Sequence, residues 1–168
     1  MICNNRDVNF HLQVVLRKRG FTDLNPTNTY PTSMPSIFEK LNLKQQAEIV
    51  VLNAPPSFEA EIATLAGVTV LRDIAHAPSI HFALVFAMTR DQLDSASRAL
   101  VVNAIGDAVL WIAYPKGTSK RYVGEFNRDS EWSVLRAAGF DTVRMVSIDN
   151  DWSALRFRRR AFIKAASV

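Results

Sequence analysis

Strand-length apolar runs alternate with amphipathic, helix-length segments along most of this chain, and that alternation restricts the fold more than any other feature. Glu48–Asn53 holds a continuous β-branched apolar run, the pattern of a strand buried on both faces. Val68–Arg72, Ile80–Met88 and Ala108–Tyr114 repeat that character. Helices are predicted around and between them. Ser36–Leu43 turns Ile37 and Leu41 inward. Phe58–Ala66 has Ser57 as its cap, Glu59 and Glu61 in the first turn where the helix dipole favours acids, and Gly67 past its end. Thr89 and Gln92 have capping-box spacing and open a helix with Leu93, Ala96, Leu100 and Ala104 on one stripe, stopped by Gly106. Asp129 or Ser130 caps a last helix carrying Trp132 and Leu135, with Gly139 after it. Thr142–Ile148 and Trp152–Phe157 flank Asp149-Asn150-Asp151 as a hairpin, the second with the large–small alternation of an edge strand. Trp152, Leu155 and Phe157 do not share one face at period two, so either a bulge re-aims one of them or both faces meet apolar surface.

Strands alternating with helices imply crossovers and a mainly parallel sheet covered on both faces. The predicted class is therefore a three-layer α/β, Rossmann-like domain with a C-terminal antiparallel hairpin. With 48% apolar residues, the chain has enough to fill such a core. No apolar run approaches the ~20 residues a membrane-spanning helix needs. Cys3 is the single cysteine, which excludes an internal disulfide and a Cys-rich zinc site. The N-terminus lacks a signal-peptide core, so a cytoplasmic location is expected.

Charge is unevenly placed. Residues 1–33 carry four basic and two acidic groups, residues 34–155 carry eleven and fourteen, and the last thirteen residues carry Arg156, Arg158, Arg159, Arg160 and Lys164 with no acid. The middle is thus slightly acidic and the basic excess sits towards the ends, where disorder is commonest, which disfavours nucleic acid as a partner. Residues 1–33 are rich in Asn, Pro, Thr and Ser and read as a weakly ordered extension with one short helix at His11–Arg19. The domain is expected over 34–160, with Met34 as a candidate start and 161–168 as a basic tail.

The order of elements resembles the Rossmann-like fold of S-adenosylmethionine-dependent methyltransferases, most closely in its second half. The first half is shortened, with no room for a strand–helix unit between Asp73 and Ile80. Trp111-Ile112-Ala113-Tyr114-Pro115-Lys116-Gly117-Thr118-Ser119, Asn127-Arg128-Asp129 and Asp151–Phe157 are similar to a family of small bacterial proteins grouped as a domain of unknown function. The methyltransferase resemblance implies a cofactor loop after the first strand and a ribose-binding acid after the second. The acid is present as Asp73. The loop, Asn53-Ala54-Pro55-Pro56-Ser57, has no glycine, and its two prolines lack N–H donors. Met88-Thr89-Arg90-Asp91 differs from the Asn/Asp-Pro-Pro-aromatic word of amino methyltransferases.

The loop Lys116-Gly117-Thr118-Ser119-Lys120 leaves the end of a strand, where open α/β sheets place ligands, and offers cations, hydroxyls and backbone N–H groups to an anion. Arg128 joins Lys116 as a second clamp in that reading, or pairs with a neighbouring carboxylate. His76 and His81 fit no zinc spacing, and no Gly-x-Ser-x-Gly elbow occurs. The favoured expectation is a non-catalytic binding or regulatory module. Its cleft for a small anionic ligand is formed by Asn53, Ser57, Asp73, Lys116, Gly117, Thr118, Ser119, Lys120 and Arg128, with no metal and no cofactor. The alternatives are an S-adenosylmethionine-dependent methyltransferase with Asp73 on the ribose and substrate entering over Thr89 and Tyr114, or a homodimeric scaffold joined through an exposed Trp152 or Phe157.

Overall fold

The computed structural model describes residues 34–164, and from Pro35 onward they form one unit. The expected helix at His11–Arg19 lies outside the described residues, as do the rest of the extension and the end of the basic tail.

Among the described residues six strands form one sheet: β1 (Glu48–Leu52), β2 (Thr69–Leu71), β3 (Ile80–Phe86), β4 (Ala104–Pro115), β5 (Phe140–Ser147) and β6 (Trp152–Arg159), in the order β2-β1-β3-β4-β6-β5. The first four run parallel. β6 is antiparallel to both β4 and β5. The α/β class with its C-terminal antiparallel hairpin is thus the observed one.

Four short or medium helices of the described residues cover the sheet: α1 (Ile37–Lys40), α2 (Glu59–Ala63), α3 (Arg90–Asn103) and α4 (Ser133–Ala137). Side chains of alternating strand positions feed two cores. Ile37, Phe38 and Leu41 around α1, with Phe58 and Ile62 around α2, pack on Phe86, Trp111 and Trp152. Leu93 and Leu100 of α3 and Leu135 of α4 pack on Val85, Leu110 and Phe157. α1 is too short to persist alone. It is fixed by a capping box between Ser36 and Glu39 and by a buried hydrogen bond of 2.7 Å from Trp111 Nε1 to the Leu41 carbonyl.

The structure corrects several sequence expectations. The segment after β1 starts as a 3₁₀ turn, Pro56–Phe58, because Pro55 and Pro56 preset φ; Ser57 caps nothing with its side chain. The capping box of Thr89 and Gln92 is present, but α3 runs straight into β4 at Ala104. Gly106, at φ +57°, lies in a bulged stretch where pairing jumps from Ile80↔Ala104 to Phe82↔Val109. Neither Asp129 nor Ser130 caps α4, whose N-cap is Trp132. Instead Asn127 Oδ1 accepts from the Asp129 N–H, closing a turn before the helix. β6 is an interior strand, not an edge. That explains why Trp152 and Phe157, on opposite faces, are 2% and 0% exposed. Neither Trp152 nor Phe157 is therefore exposed as the scaffold reading required.

Candidate functional site

Between Leu71 and Ile80 the chain makes only the 3₁₀ turn Ile74–His76, so the shortened first half is real. Ile74 and Ala77 are buried against the α3 side of the sheet. This short link and α3 leave a cleft of about 750 Å³ between them, floored by Leu52 and Asn53 and walled by Arg72, Asp73, Asp91 and Ser95. β1 connects to β2 on one side and pairs with β3 on the other, so the cleft lies at the switch point of the sheet, beyond the carboxyl ends of its strands. Open α/β sheets bind ligands there. A larger concavity, about 870 Å³, lies at the opposite rim beside Lys44, Glu48 and His81. Its position at the amino ends of the strands makes it the weaker candidate.

Asn53 carries the turn out of β1 at φ +53°, the left-handed conformation that glycine supplies most readily and asparagine tolerates. Its amide donates to the Phe86 carbonyl across the switch point at 3.3 Å. Asp73 ends β2. One carboxylate oxygen accepts from the Ala75 N–H at 2.9 Å, and the other lies 3.4 Å from His76 Nδ1. The Asp73 side chain is still 62% exposed, so it can accept further hydrogen bonds. Arg72 is already engaged by Glu59 of α2 through two bonds of 2.6 and 2.9 Å. Asp91, in the first turn of α3, has no cationic partner among the described residues. The cleft is therefore electronegative: among the described residues that line it, the arginine is neutralised and two carboxylates remain.

The expected site residues fall into separate places. Asn53 and Asp73 meet in this cleft, while Ser57 is exposed on the neighbouring turn. Lys116, Gly117 and Ser119 line a smaller hollow of about 250 Å³ with Tyr122 and Phe126. There Lys116 Nζ donates to Ser147 Oγ at 2.8 Å and to the Asp149 carbonyl, and Ser119 Oγ donates to Asp151 Oδ1 at 2.8 Å. Both side chains thus hold the β5–β6 hairpin. Thr118 and Lys120 are exposed, and Arg128 pairs with Asp129 at 3.0 Å. Tyr114, expected along a substrate path, is 4% exposed beneath Phe126 and Trp132, and burial raises its pKa. His76 and His81 are not brought together, and among the described residues no three metal-ligating side chains cluster. Asp91 and Ser95 were legible only as the face of α3 turned away from the Leu93–Ala96–Leu100 stripe.

The sheet order, with an antiparallel strand inserted between β4 and β5 and a switch point at β1/β3, decides the fold type. This is a Rossmann-like fold of the methyltransferase type, shortened by one strand–helix unit. Solved structures similar to it include an S-adenosylmethionine-dependent methyltransferase from Aquifex aeolicus (14% identity, 73% of this chain and 87% of that one, TM-score 0.48). Another is a putative type 11 methyltransferase from Sulfolobus solfataricus (13% identity, 79% and 94% covered, TM-score 0.43). No protein-family model and no curated protein matches the chain. No helix among the described residues is long and apolar enough to cross a membrane.

Proposed function

We propose that the chain binds S-adenosylmethionine in the switch-point cleft and acts as a small methyltransferase. The observation that carries this reading is the pair of carboxylates, Asp73 and Asp91, neither of them paired with a lysine or arginine among the described residues, in a cleft whose arginine, Arg72, is held by Glu59. Such a cleft repels phosphates, which sets it apart from nucleotide and dinucleotide sites. Glu61 in the first turn of α2 and the absent N–H groups of Pro55 and Pro56 act in the same direction. A nucleoside bearing a positive charge suits it. Asp73 would accept from ribose hydroxyls, Asp91 would face the cationic portion, and the left-handed Asn53 turns the chain aside from the floor. The bound cofactor would supply an activated methyl group, and the protein would supply binding and orientation.

Calorimetric titration with S-adenosylmethionine and S-adenosylhomocysteine tests this. Micromolar binding is expected, weakened at least about tenfold in Asp73→Asn, the loss of a charge-assisted hydrogen bond. ATP and NAD should give no heat. Absence of binding by both sulfur nucleosides, or equal binding by Asp73→Asn, would refute the reading.

A further inference from the structure

A second charged feature lies on the other half of the sheet. Arg144 of β5 and Arg156 of β6 are direct register partners, and Arg156 is also the partner of Trp111 on β4. Cross-strand partners point to the same face. Arg158 follows two residues later on that face, so three arginines share one face of two neighbouring strands. Like charges directly opposite one another on a sheet destabilise it.

Among the described residues one carboxylate answers them. Asp107 takes Arg158 in a two-pronged pair, with Arg158 Nε donating to Oδ1 at 2.7 Å. Arg144 and Arg156 have no carboxylate partner and make no side-chain hydrogen bond among the described residues. Arg156 is half-buried, and its Nε is shut from solvent with no acceptor among those residues. Burial and the neighbouring arginines lower the pKa of Arg156. A buried charged donor left without a partner is costly, and guanidinium forks match tetrahedral oxyanions with paired hydrogen bonds.

We propose that Arg144 and Arg156 form a seat for the phosphate group of a small ligand, separate from the switch-point cleft and independent of what that cleft binds. The seat lies on two strands rather than on a loop, so the geometry is present before binding. The Asp107–Arg158 pair borders the seat and leaves Arg144 and Arg156 as the arginines on that face without a carboxylate partner among the described residues.

The test is thermal unfolding of the full chain at constant ionic strength, with chloride exchanged for inorganic phosphate or for glycerol 3-phosphate, which has no base to enter the cleft. A site with a dissociation constant near ~1 mM gives a roughly twenty-fold stabilisation at about 20 mM ligand. That is a rise in Tm of roughly 5 °C. Arg144→Gln and Arg156→Gln should abolish the rise, and without phosphate both should unfold no earlier than wild type, because each removes a like-charge contact. Lys120→Gln should keep the rise. The proposal is overturned if wild type shows no rise or if both arginine variants retain it. It is also overturned if only a single-stranded oligonucleotide stabilises the protein, with a steep salt dependence, which would make a nucleic-acid backbone the partner.

Discussion

Trp111 and Trp152 allow one prediction to be worked through, because they share a core and differ in one respect. Both are essentially unexposed, and both belong to the cluster beneath α1 and α2. Trp111 Nε1 donates to the Leu41 carbonyl at 2.7 Å, whereas Trp152 Nε1 is buried without an acceptor among the described residues. Replacing either by Phe removes similar volume, costing about 1 kcal/mol in packing. In Trp111→Phe a further ~2 kcal/mol arises from the lost bond and the carbonyl left unsatisfied at the end of α1. In Trp152→Phe the same arithmetic changes sign, since an unpaired donor is deleted, and the net cost falls to about 0–1 kcal/mol. Urea unfolding followed by far-ultraviolet circular dichroism reads the difference. With a slope of ~1.5 kcal/mol/M, Trp111→Phe should shift the midpoint down by about 2 M and Trp152→Phe by less than about 0.7 M. Equal shifts would refute the reasoning, because they would mean that hydrogen bonding at the indole nitrogen contributes nothing beyond volume.

Other outcomes rest on contacts of the same kind. Hydrogen bonds from Arg158 hold the Asp107 carboxyl below its ordinary 3.8. A carboxyl depressed in the folded state stabilises the fold above the unfolded value, and that contribution is lost as pH falls through the folded one. The stability gap between wild type and Asp107→Asn should therefore be full at pH 7 and close only as pH falls through the lowered value of the folded carboxyl, as acid-titrated melting curves will show. Gly139 ends α4 at φ +83° with open space around it, so Gly139→Ala should cost about 1 kcal/mol through backbone strain alone, measured by urea midpoint. Asn53→Ala should cost about 1–2 kcal/mol for the same left-handed strain plus the lost bond to Phe86, with Asn53→Gly recovering most of it in thermal melts. Asp91→Lys, a surface change on α3, should leave folding intact and weaken S-adenosylmethionine binding about tenfold or more by calorimetry.

The sheet was legible because buried parallel strands announce themselves. Ile49–Leu52 and Phe82–Phe86 are apolar on both faces, and their short length with β-branched and aromatic residues separates them from a buried helix. The capping box at Thr89 and Gln92 was readable for a similar reason, since the chemistry is local. The features that escaped were set by distant partners. Lys116 and Ser119 look like ligand-binding residues in isolation; only the hairpin, 31 to 33 positions onward, shows what they hold. Asp91 carried no signal beyond its place on a helix, and its role in the cleft depends on Arg72 being neutralised by Glu59 across a gap of 13 residues. Trp152–Phe157 allowed two readings, an edge strand from its alternating side-chain size or a strand with apolar surface on both faces from the split of Trp152 and Phe157, and the second holds, since each face meets its own core.

The position of β6 bears on biosynthesis. It is the last of the six strands along the chain but an interior strand of the sheet, and β4 has no other neighbour on that side. Until residue 159 has left the ribosome, the whole outer edge of β4, buried in the folded protein from Ala108 to Pro115, stands unpaired with Trp111 and Ile112 within it. At translation rates of 5–20 residues per second, the interval from Pro115 to Arg159 lasts roughly two to nine seconds. During that window the nascent chain offers an apolar strand edge to any other chain that can add to it. Slowing elongation between the codons of β4 and β6 would lengthen that exposure, and the yield of soluble protein would fall, most steeply where chaperones are scarce.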